Sequence, residues 1–333
     1  MTSSKKSDIT VIGSGSWATA LVKLLCPNTT SICWYVHEDE VLRHLKKHGN
    51  NPRYLSSVEF KPEKLKLTSD INKAVQASDI ILLVTPSAFL KSVMAPLNIS
   101  LTDKIVCSAI KGIIPQDNMI VGEFLNSRYN IPLENIVVIT GPSHAEEVAM
   151  EKLTYLTVAS LDKNNGKRVA SLIKNHFLRT ILSDDIIGTE YAAVLKNIYA
   201  IAAGICHGLG YGDNFQAVLL SNAANEMKRF THEVFPNDRD IKSSAYLGDL
   251  LVTGYSQFSR NRTFGNMIGK GYSVQNALLE MTMVAEGYYA SDCVNELNKG
   301  LRAEIPIADS VYSILYQHAE PGREMYNLTK KLK

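Results

Sequence analysis

The sequence predicts an α/β protein in which a doubly wound, mostly parallel sheet is followed by an all-helical domain. Three observations support this fold class. Short apolar segments alternate with amphipathic helical patterns in the first half, a glycine-rich turn follows the first apolar segment, and the second half consists of long segments rich in alanine and leucine. The pattern changes near residue 188, and 333 residues suffice for two domains, so we predict domains at residues 1–188 and 189–333.

The predicted strands are short runs of nearly continuous apolar residues. A run without polar alternation is typical of a strand that helices cover on both faces of a parallel sheet. Strands are predicted at residues 9–12, 31–36, 79–84, 104–108, 135–140 and 154–159. The helical patterns between them supply the crossover connections that parallel strands need. Ligands of open α/β sheets bind at the carboxyl ends of such strands, so the residues that follow each strand are candidates for a site.

The second half shows helical patterns with few β-branched runs. Helices are predicted at residues 188–207, 214–235, 273–298 and 307–318. Glycine-rich connectors are predicted at residues 208–212 and 265–271. This half of the chain is therefore predicted to be largely helical.

Composition narrows the classes of function. Lysine and arginine total 35 against 33 aspartates and glutamates, and a net charge of +2 offers no basic surface for nucleic acid. The five cysteines are far apart and lack metal-ligand or disulfide spacing, which is typical of a reducing compartment. No apolar segment reaches the roughly 18 residues that a membrane span needs. We expect a soluble, cytoplasmic protein that binds neither nucleic acid nor a metal ion and does not span a membrane.

The turn after the first strand reads Gly13-Ser14-Gly15-Ser16-Trp17-Ala18. A glycine pair between a strand and a helix lets the backbone approach a pyrophosphate, and the N-terminus of the helix offers N–H groups to that anion. The turn therefore predicts a dinucleotide site. The alternative is a plain strand-to-helix turn in a sheet that binds no nucleotide.

The residues after the second strand bear on the choice between NAD and NADP. An acid at this position binds the adenosine ribose 2′-hydroxyl of NAD, whereas a basic residue accommodates the 2′-phosphate of NADP. The strand here runs into His37-Glu38-Asp39, and Arg43 follows one helical turn later. Both cofactors remain open.

One lysine lies in an otherwise apolar helical window. Among residues 191–206 only Lys196 and Asn197 are strongly polar, and a helix that is apolar on every face is a buried helix. Burying a lysine is costly unless it is paired, neutralised or used, and burial moves its pKa towards the range of an acid/base catalyst. Lys196 is therefore a candidate general acid/base. The alternative is a lysine whose stem reaches the surface.

Further polar groups could accompany this lysine. Ser259-Arg260-Asn261-Arg262 lies in a polar stretch between predicted helices and could bind a phosphate, although a surface loop would read the same way. Asp249 follows a glycine, which is also typical of a helix cap. Lys111-Gly112 and Gly141-Pro142-Ser143 each follow a predicted strand and would face a ligand, or are structural turns.

These motifs, together with Glu286-Gly287, occur in the order and spacing of the NAD(P)-dependent sn-glycerol-3-phosphate dehydrogenases, which the chain resembles over nearly its whole length. The resemblance implies a Rossmann-like N-terminal domain, an all-helical C-terminal domain and a homodimer. It also implies reversible reduction of dihydroxyacetone phosphate to sn-glycerol 3-phosphate with NAD or NADP. In bacteria that product supplies the backbone of phospholipids.

The resemblance also implies roles for individual residues. Lys196 corresponds to the general acid/base of the family. The implied substrate contacts are Lys111, Gly141, Ser143, Lys196, Asn197, Asp249, Ser259, Arg260 and Asn261. The implied cofactor contacts are Gly13, Gly15, Ser16, Trp17, His37, Lys111, Ala145, Arg260, Val284 and Glu286.

Two other functions fit part of the pattern. A β-hydroxyacid or 6-phosphogluconate-type dehydrogenase also joins a dinucleotide domain to a helical domain that carries a lysine, and it acts on carboxylate substrates. A non-catalytic dinucleotide sensor would keep the fold without the chemistry, but it would have no use for a buried lysine.

Overall fold

The computed structural model describes residues 6–281 and 283–333, which form two compact units. Unit 1 contains the described residues up to Ile110 together with Val121–Ile186, and unit 2 contains Lys111–Ile120 together with Ile187–Lys333. The segment Lys111–Ile120, which the sequence division places in the first domain, groups with unit 2 because Ile113 and Ile120 are buried in the helical core. The functional labels of the two predicted domains stay a prediction.

The described part of unit 1 is built on an eight-stranded sheet with the order β10-β9-β8-β5-β4-β1-β2-β3. All neighbouring strands are parallel except β8 and β9, so the prediction of a mostly parallel sheet is confirmed. The strands of the chain are β1 Ile9–Ile12, β2 Ile32–Tyr35, β3 Leu65–Thr68, β4 Ile80–Leu83, β5 Ile105–Ser108, β6 Ile113–Ile114, β7 Met119–Ile120, β8 Ile136–Thr140, β9 Thr154–Ser160 and β10 Leu178–Ser183. The short β6 and β7 form an antiparallel hairpin in unit 2.

All six strands that the sequence predicts are present, and the two it misses in the large sheet lie at its edges. Most positions of the edge strands β3 and β10 are exposed or half-buried, whereas the inner strands β1 and β4 are buried throughout. A strand with only one neighbour is covered less completely, so it can retain polar residues such as Lys66 and Arg179. A search for continuous apolar runs therefore finds the central strands and misses the edge strands β3 and β10.

Helices cover the sheet of unit 1. They are α1 Ser16–Leu25, α2 Asp39–His48, α3 Ile71–Gln76, α4 Ser87–Met94, α5 Val121–Tyr129, α6 Ala145–Ala149 and α7 Lys163–Ile173. Asp70 and Asp162 cap α3 and α7, each accepting two backbone N–H groups. Gly49, with φ +76°, ends α2 in the left-handed conformation. These local signals set the ends of the helices that pack on the sheet.

Unit 2 is helical apart from the β6–β7 hairpin in the part that the structure describes. Its helices are α8 Ile186–Gly208, whose first residue belongs to unit 1, α9 Asp213–Val234, α10 Asp249–Tyr255, α11 Arg260–Gly269, α12 Val274–Glu280, α13 Glu286–Leu301, α14 Pro306–Tyr316 and α15 Pro321–Thr329. A π-helical turn, Ser244–Gly248, leads directly into α10. Across the described residues, no helix combines the length and apolar character that crossing a membrane requires.

Helix α8 is buried along most of its length. Val194, Leu195 and Ile198 are fully inaccessible to solvent. Glycines let the backbones of α8 and α11 touch: a Cβ atom on Gly265 would lie 2.1 Å from the carbonyl oxygen of Ile201, and one on Gly204 would lie 2.1 Å from that of Arg262. A lysine in this helix therefore has neighbours on every side.

Three predicted element boundaries were wrong. The single helix predicted at 273–298 is two helices, α12 and α13, with a break within which Thr282 lies outside the described residues. The break allows the backbone N–H of Gly287 to bond the side chain of Asn261 instead of an upstream carbonyl. The connector predicted at 265–271 is mostly the end of α11, because its glycines serve helix packing rather than a turn. The Ser259–Arg262 loop is the N-cap and first turn of the same helix.

Candidate functional site

The glycine turn of unit 1 has the backbone geometry that the sequence predicts. Gly13 has φ +127°, and a Cβ atom there would lie 2.8 Å from the carbonyl oxygen of Val84 on the neighbouring strand. A side chain at this position would be strained and would also clash. A Cβ atom on Gly15 would meet nothing within 4 Å, so the surface above the second glycine is open. The turn leaves room for a ligand to approach the backbone.

Side chains of unit 1 hold the three carbonyl groups of this turn. The bonds are Trp34 Nε1 to the oxygen of Gly13 at 2.7 Å, Asn51 Nδ2 to that of Ser14 at 2.8 Å and Thr19 Oγ1 to that of Gly15 at 3.0 Å. Helix α1 then begins at Ser16 with no side-chain cap and no acidic residue in its first turn. Its first N–H groups therefore remain available to an anion, as a pyrophosphate would require.

Other predicted cofactor and substrate residues of unit 1 lie beside this turn or after β8. Trp17 follows Ser16 in α1, and its Nε1 is buried with no hydrogen-bond partner among the described residues. His37 is exposed after β2. Gly141 adopts φ +111°, where a Cβ atom would lie 3.0 Å from the carbonyl oxygen of Tyr155. Ser143 Oγ donates to the oxygen of Gly141 at 3.0 Å, and Ala145 begins α6. The unpartnered indole of Trp17 and the open space above Gly15 fit a bound dinucleotide.

The centre of the predicted site in unit 2 is a buried ion pair. Lys196 Nζ donates to Asp249 Oδ1 at 2.6 Å and to Thr253 Oγ1 at 3.0 Å. Lys196 is only 4% exposed and Asp249 1%, so the alternative in which the lysine reaches solvent is wrong. Asp249 is the first residue of α10, and its carboxylate bonds lysines instead of capping the helix. A buried pair is retained at a cost in desolvation, which points to a use other than stability.

Lys111 supplies a second cation to the same carboxylate. Its Nζ lies 3.3 Å from Asp249 Oδ2, and its side chain is 18% exposed, so it is wetter than Lys196. Each oxygen of the Asp249 carboxylate therefore faces one ammonium group. The Asp249 carboxylate therefore lies between two ammonium groups, and low hydration strengthens its attraction to both.

The protonation of this cluster follows from its burial. Desolvation lowers the pKa of Lys196 to about 7, although Asp249 opposes the shift, and Lys111 adds to the lowering. For Asp249, burial alone would raise the pKa, but the two ammonium groups outweigh it and lower the pKa. Lys196 is thus poised to gain or lose a proton near neutral pH while Asp249 stays ionised.

A chain of amide hydrogen bonds links three elements beside the ion pair. The Gly287 N–H donates to Asn261 Oδ1 at 2.9 Å, Asn261 Nδ2 donates to Asn197 Oδ1 at 2.9 Å, and Asn197 Nδ2 donates to the carbonyl oxygen of Lys111 at 2.7 Å. Each of these bonds uses one N–H of its amide nitrogen, and each side-chain oxygen is occupied. Both asparagines can therefore offer further donors but not their bonded oxygens, which suits an anion.

The N-terminus of α11 carries the remaining basic group. Ser259 caps the helix by accepting the N–H of Arg262, so its hydroxyl oxygen is engaged in the fold. Arg260 is half-buried, and its Nη1 lies 3.9 Å from the Met283 sulfur. Val284 precedes α13, and Glu286 is the first residue of that helix. Arg260 is thus placed one residue from Asn261, the member of the amide chain that lies in α11.

The predicted site residues fall into two groups, one in each unit. In unit 2, hydrogen bonds or ion pairs join Lys111, Lys196, Asn197, Asp249 and Asn261. Ser259 and Arg260 directly precede Asn261 in the sequence, and Val284 and Glu286 lie in the segment that leads into Gly287. In unit 1, the glycine turn with Ser16, Trp17 and His37 forms one set, and Gly141, Ser143 and Ala145 follow β8.

Two residues of unit 2 were missed by reasoning from the sequence. Thr253 lies one helical turn after Asp249, and this spacing alone places it on the same face as the aspartate. Gly287 was noted only as part of a motif. Its role needs the structure, because a Cβ atom there would lie 2.6 Å from the carbonyl oxygen of Asn197.

Comparison with known proteins identifies the family to which this chain belongs. Residues 8–166 match the family model of the NAD-dependent glycerol-3-phosphate dehydrogenase N-terminus, and residues 185–326 match that of the C-terminus. A glycerol-3-phosphate dehydrogenase (NAD(P)+) of Exiguobacterium is 34% identical over 327 residues, covering 98% of this chain and 96% of the relative. The enzyme of that name from Bacillus subtilis is 34% identical over 310 residues, covering 92% and 90%.

Solved structures agree with these matches. The crystal structure of glycerol-3-phosphate dehydrogenase from Coxiella burnetii superposes with a TM-score of 0.90 at 29% identity, covering 98% of this chain and 99% of that one. A D-mandelate dehydrogenase structure covers 95% of this chain at 18% identity with a TM-score of 0.60, which shows a shared fold alone. The fold, the glycine turn and these similarities define an NAD(P)-dependent oxidoreductase that acts on a CH–OH group. Within that class, the chain belongs to the NAD(P)-dependent glycerol-3-phosphate dehydrogenase family.

Proposed function

We propose that this chain catalyses the reversible NAD(P)H-dependent reduction of dihydroxyacetone phosphate to sn-glycerol 3-phosphate, with Lys196 as the general acid/base. The observation that carries the proposal is the buried ion pair of Lys196 with Asp249 at 2.6 Å, in which burial lowers the pKa of the lysine to about 7. An acid/base group works best when its pKa lies near the operating pH. The membership of the family supports the substrate.

The proton chemistry follows from the geometry of the cluster. A nicotinamide dinucleotide held at the glycine turn would supply or accept the hydride at C2 of the substrate. Lys196, as ammonium, donates a proton to the ketone oxygen as negative charge develops there, and Lys111 adds positive charge at the same oxygen. Asp249 orients both ammonium groups because each of its oxygens faces one of them. In the reverse direction, neutral Lys196 takes the proton of the hydroxyl group.

Phosphate recognition is assigned to the donors beside this cluster. Arg260 supplies a guanidinium group, and Asn261 and Asn197 each retain an N–H that the amide chain does not use. Holding the phosphate supplies binding energy away from the reacting carbon and orients C2. Ser143, Gly141 and Ser259 are proposed as further substrate contacts.

The glycine turn is the proposed seat of the dinucleotide pyrophosphate. Its carbonyl oxygens are hydrogen-bonded within the fold, and the uncapped N-terminus of α1 offers N–H donors to that anion. Further cofactor contacts are proposed for Gly13, Gly15, Ser16, Trp17, His37, Lys111, Ala145, Arg260, Val284 and Glu286. We also propose that the enzyme is a cytoplasmic homodimer, which light scattering and fractionation would test.

An initial-rate assay with dihydroxyacetone phosphate tests the function directly. Purified protein is mixed with the ketone and either NADH or NADPH, and the loss of reduced cofactor is followed by absorbance. We expect oxidation that depends on the phosphorylated ketone, with no turnover of a β-ketoacid of similar size. If neither cofactor is oxidised, or if the carboxylate substrate is preferred, the proposal is wrong.

A further inference from the structure

The acidic residue that follows β2 lies directly against the glycine turn. Ser14 Oγ, from the middle of the turn, donates to Glu38 Oε2 at 2.5 Å. Glu38 is half-buried and precedes α2, but its side chain does not cap that helix. The carboxylate is therefore held beside the turn by a hydrogen bond that leaves its other oxygen to interact with a ligand.

The basic residues of the same region point to other partners. Arg53 Nη2 forms an ion pair with Glu40 Oε2 at 2.6 Å. Arg43 Nε donates to the carbonyl oxygen of Asp39 at 3.3 Å, on its own helix. Both arginines are exposed, whereas Glu38 is the charged group that bonds the turn itself. The charged side chain that is bonded to the turn is therefore negative.

The end of the second strand is where such sheets meet the adenosine ribose of a dinucleotide. A ribose 2′-hydroxyl can donate a hydrogen bond to a carboxylate, but a 2′-phosphate carries negative charge and has only acceptors to offer. Placing that phosphate beside Glu38 would bring like charges together. Ser14 cannot relieve the clash, because its hydroxyl hydrogen is already directed at Glu38.

We propose that Glu38, held by Ser14, is the residue that determines cofactor specificity and makes this chain prefer NAD over NADP. The proposal rests on the proposed function, in which a dinucleotide occupies the glycine turn. It settles a choice that the order of residues leaves open, because Glu38 and Arg43 both follow the second strand and only Glu38 bonds the turn.

Binding measurements on the full chain without ketone test this proposal. Fluorescence titration or calorimetry with NADH and with NADPH should give at least about tenfold tighter binding of NADH. Glu38→Gln retains an oxygen that accepts from Ser14 but loses the charge, so NADPH should bind at least about fivefold tighter than to the unaltered chain, with NADH affected less. The matched control is Asp39→Asn, which removes the same charge one residue away and should leave the ratio nearly unchanged.

A second pair of probes needs no variant. The chain should bind 5′-AMP more tightly than adenosine 2′,5′-bisphosphate, since the two differ only in the 2′-phosphate. Equal or tighter binding of the 2′-phosphorylated members of both pairs would overturn the assignment of Glu38, and so would an unchanged ratio in a folded Glu38→Gln protein. If both dinucleotides bind equally and both support reduction of the ketone, only this inference fails. If neither dinucleotide binds, the proposed function fails as well.

Discussion

The glycine turn of unit 1 and the lysine–aspartate cluster of unit 2 handle charge in opposite ways. The turn presents backbone N–H groups, and its carbonyls are tied by Trp34 and Asn51, so it offers positive potential without a titratable cation. The cluster buries Lys196 and Asp249 beside the partly exposed Lys111, and this burial lowers the pKa of Lys196 to about 7. Binding a cofactor of constant charge needs only fixed dipoles, whereas moving a proton needs a group that can change its charge. Substitutions that add bulk should therefore impair dinucleotide binding at the turn, and substitutions that remove a charge should impair proton transfer at the cluster.

The largest expected effect is that of Lys196→Ala. Removing the group that exchanges the proton should lower kcat by roughly 10³-fold, within the range of general acid/base catalysis. NADH affinity should change little, because the glycine turn is untouched. Stopped-flow kinetics and a binding titration on the same preparation measure both. Near-normal turnover of this variant would remove Lys196 from the acid/base role and would break the contrast between the two regions.

Next in size is the effect of shape at the turn. Gly13→Ala must accommodate φ +127° and a Cβ atom 2.8 Å from the Val84 oxygen, so it should lower the free energy of unfolding by about 1–3 kcal/mol. The affinity of this variant for the dinucleotide should also fall, because the turn that binds the pyrophosphate is distorted. Gly15→Ala is the matched control, since its Cβ meets no protein atom within 4 Å and should leave stability nearly unchanged while obstructing the pyrophosphate. Urea denaturation and NADH titration of both variants separate the two effects. Equal stability losses would show that open space above Gly15 is not what the turn provides.

A smaller effect is expected from pH. Because the ammonium form of Lys196 donates the proton, kcat for ketone reduction should fall as pH rises through about 7, by up to about tenfold per unit. Oxidation of the alcohol should show the opposite trend. Asp249 raises the pKa of Lys196, so Asp249→Asn should move the midpoint of the reduction profile to lower pH. An alkaline shift in a folded variant would contradict the electrostatic role given to Asp249.

The smallest effect concerns a buried acid that takes no part in the chemistry. Glu226 is fully buried and accepts the backbone N–H groups of Ile307 and Ala308, and burial raises its pKa to about 8. Since this pKa lies above that of the unfolded chain, the contribution of Glu226 to stability is complete below the unfolded pKa of 4.5 and is lost as pH rises through about 8.

Glu226→Gln removes this titration while keeping an acceptor for one of the two N–H groups. Between about pH 6 and about pH 8, the unaltered chain should therefore lose roughly 1–2 kcal/mol of unfolding free energy relative to the variant. Urea denaturation of both proteins at the two pH values gives the difference, and kcat should stay the same. A stability difference that does not depend on pH would show that Glu226 is ionised throughout, as Asp249 is.

Much of this architecture follows from local pattern, as the central strands and α8 illustrate. Residues 80–84 are apolar without interruption, and Ile80–Leu83 form β4 between two neighbouring strands. The edge strand Leu178–Ser183 was missed, because exposure lets it carry Arg179 and Thr180 and so dilutes the pattern. The break between α12 and α13 was also missed. It accompanies the bond from Gly287 to Asn261, a contact across 26 positions of the chain that local periodicity does not reveal.

The sequence by itself determined the six central strands, the glycines of the first turn, and the position of Lys196 in an apolar helix. These features depend on near neighbours, whose periodicity and backbone freedom are written in consecutive residues. Only the tertiary structure decided which polar side chains form hydrogen bonds or ion pairs with one another. Asp249 meets Lys196 across 53 positions and Lys111 across 138, and Glu38 reaches Ser14 across 24. Such contacts, and the desolvation that sets their pKa values, exist only once the chain has folded.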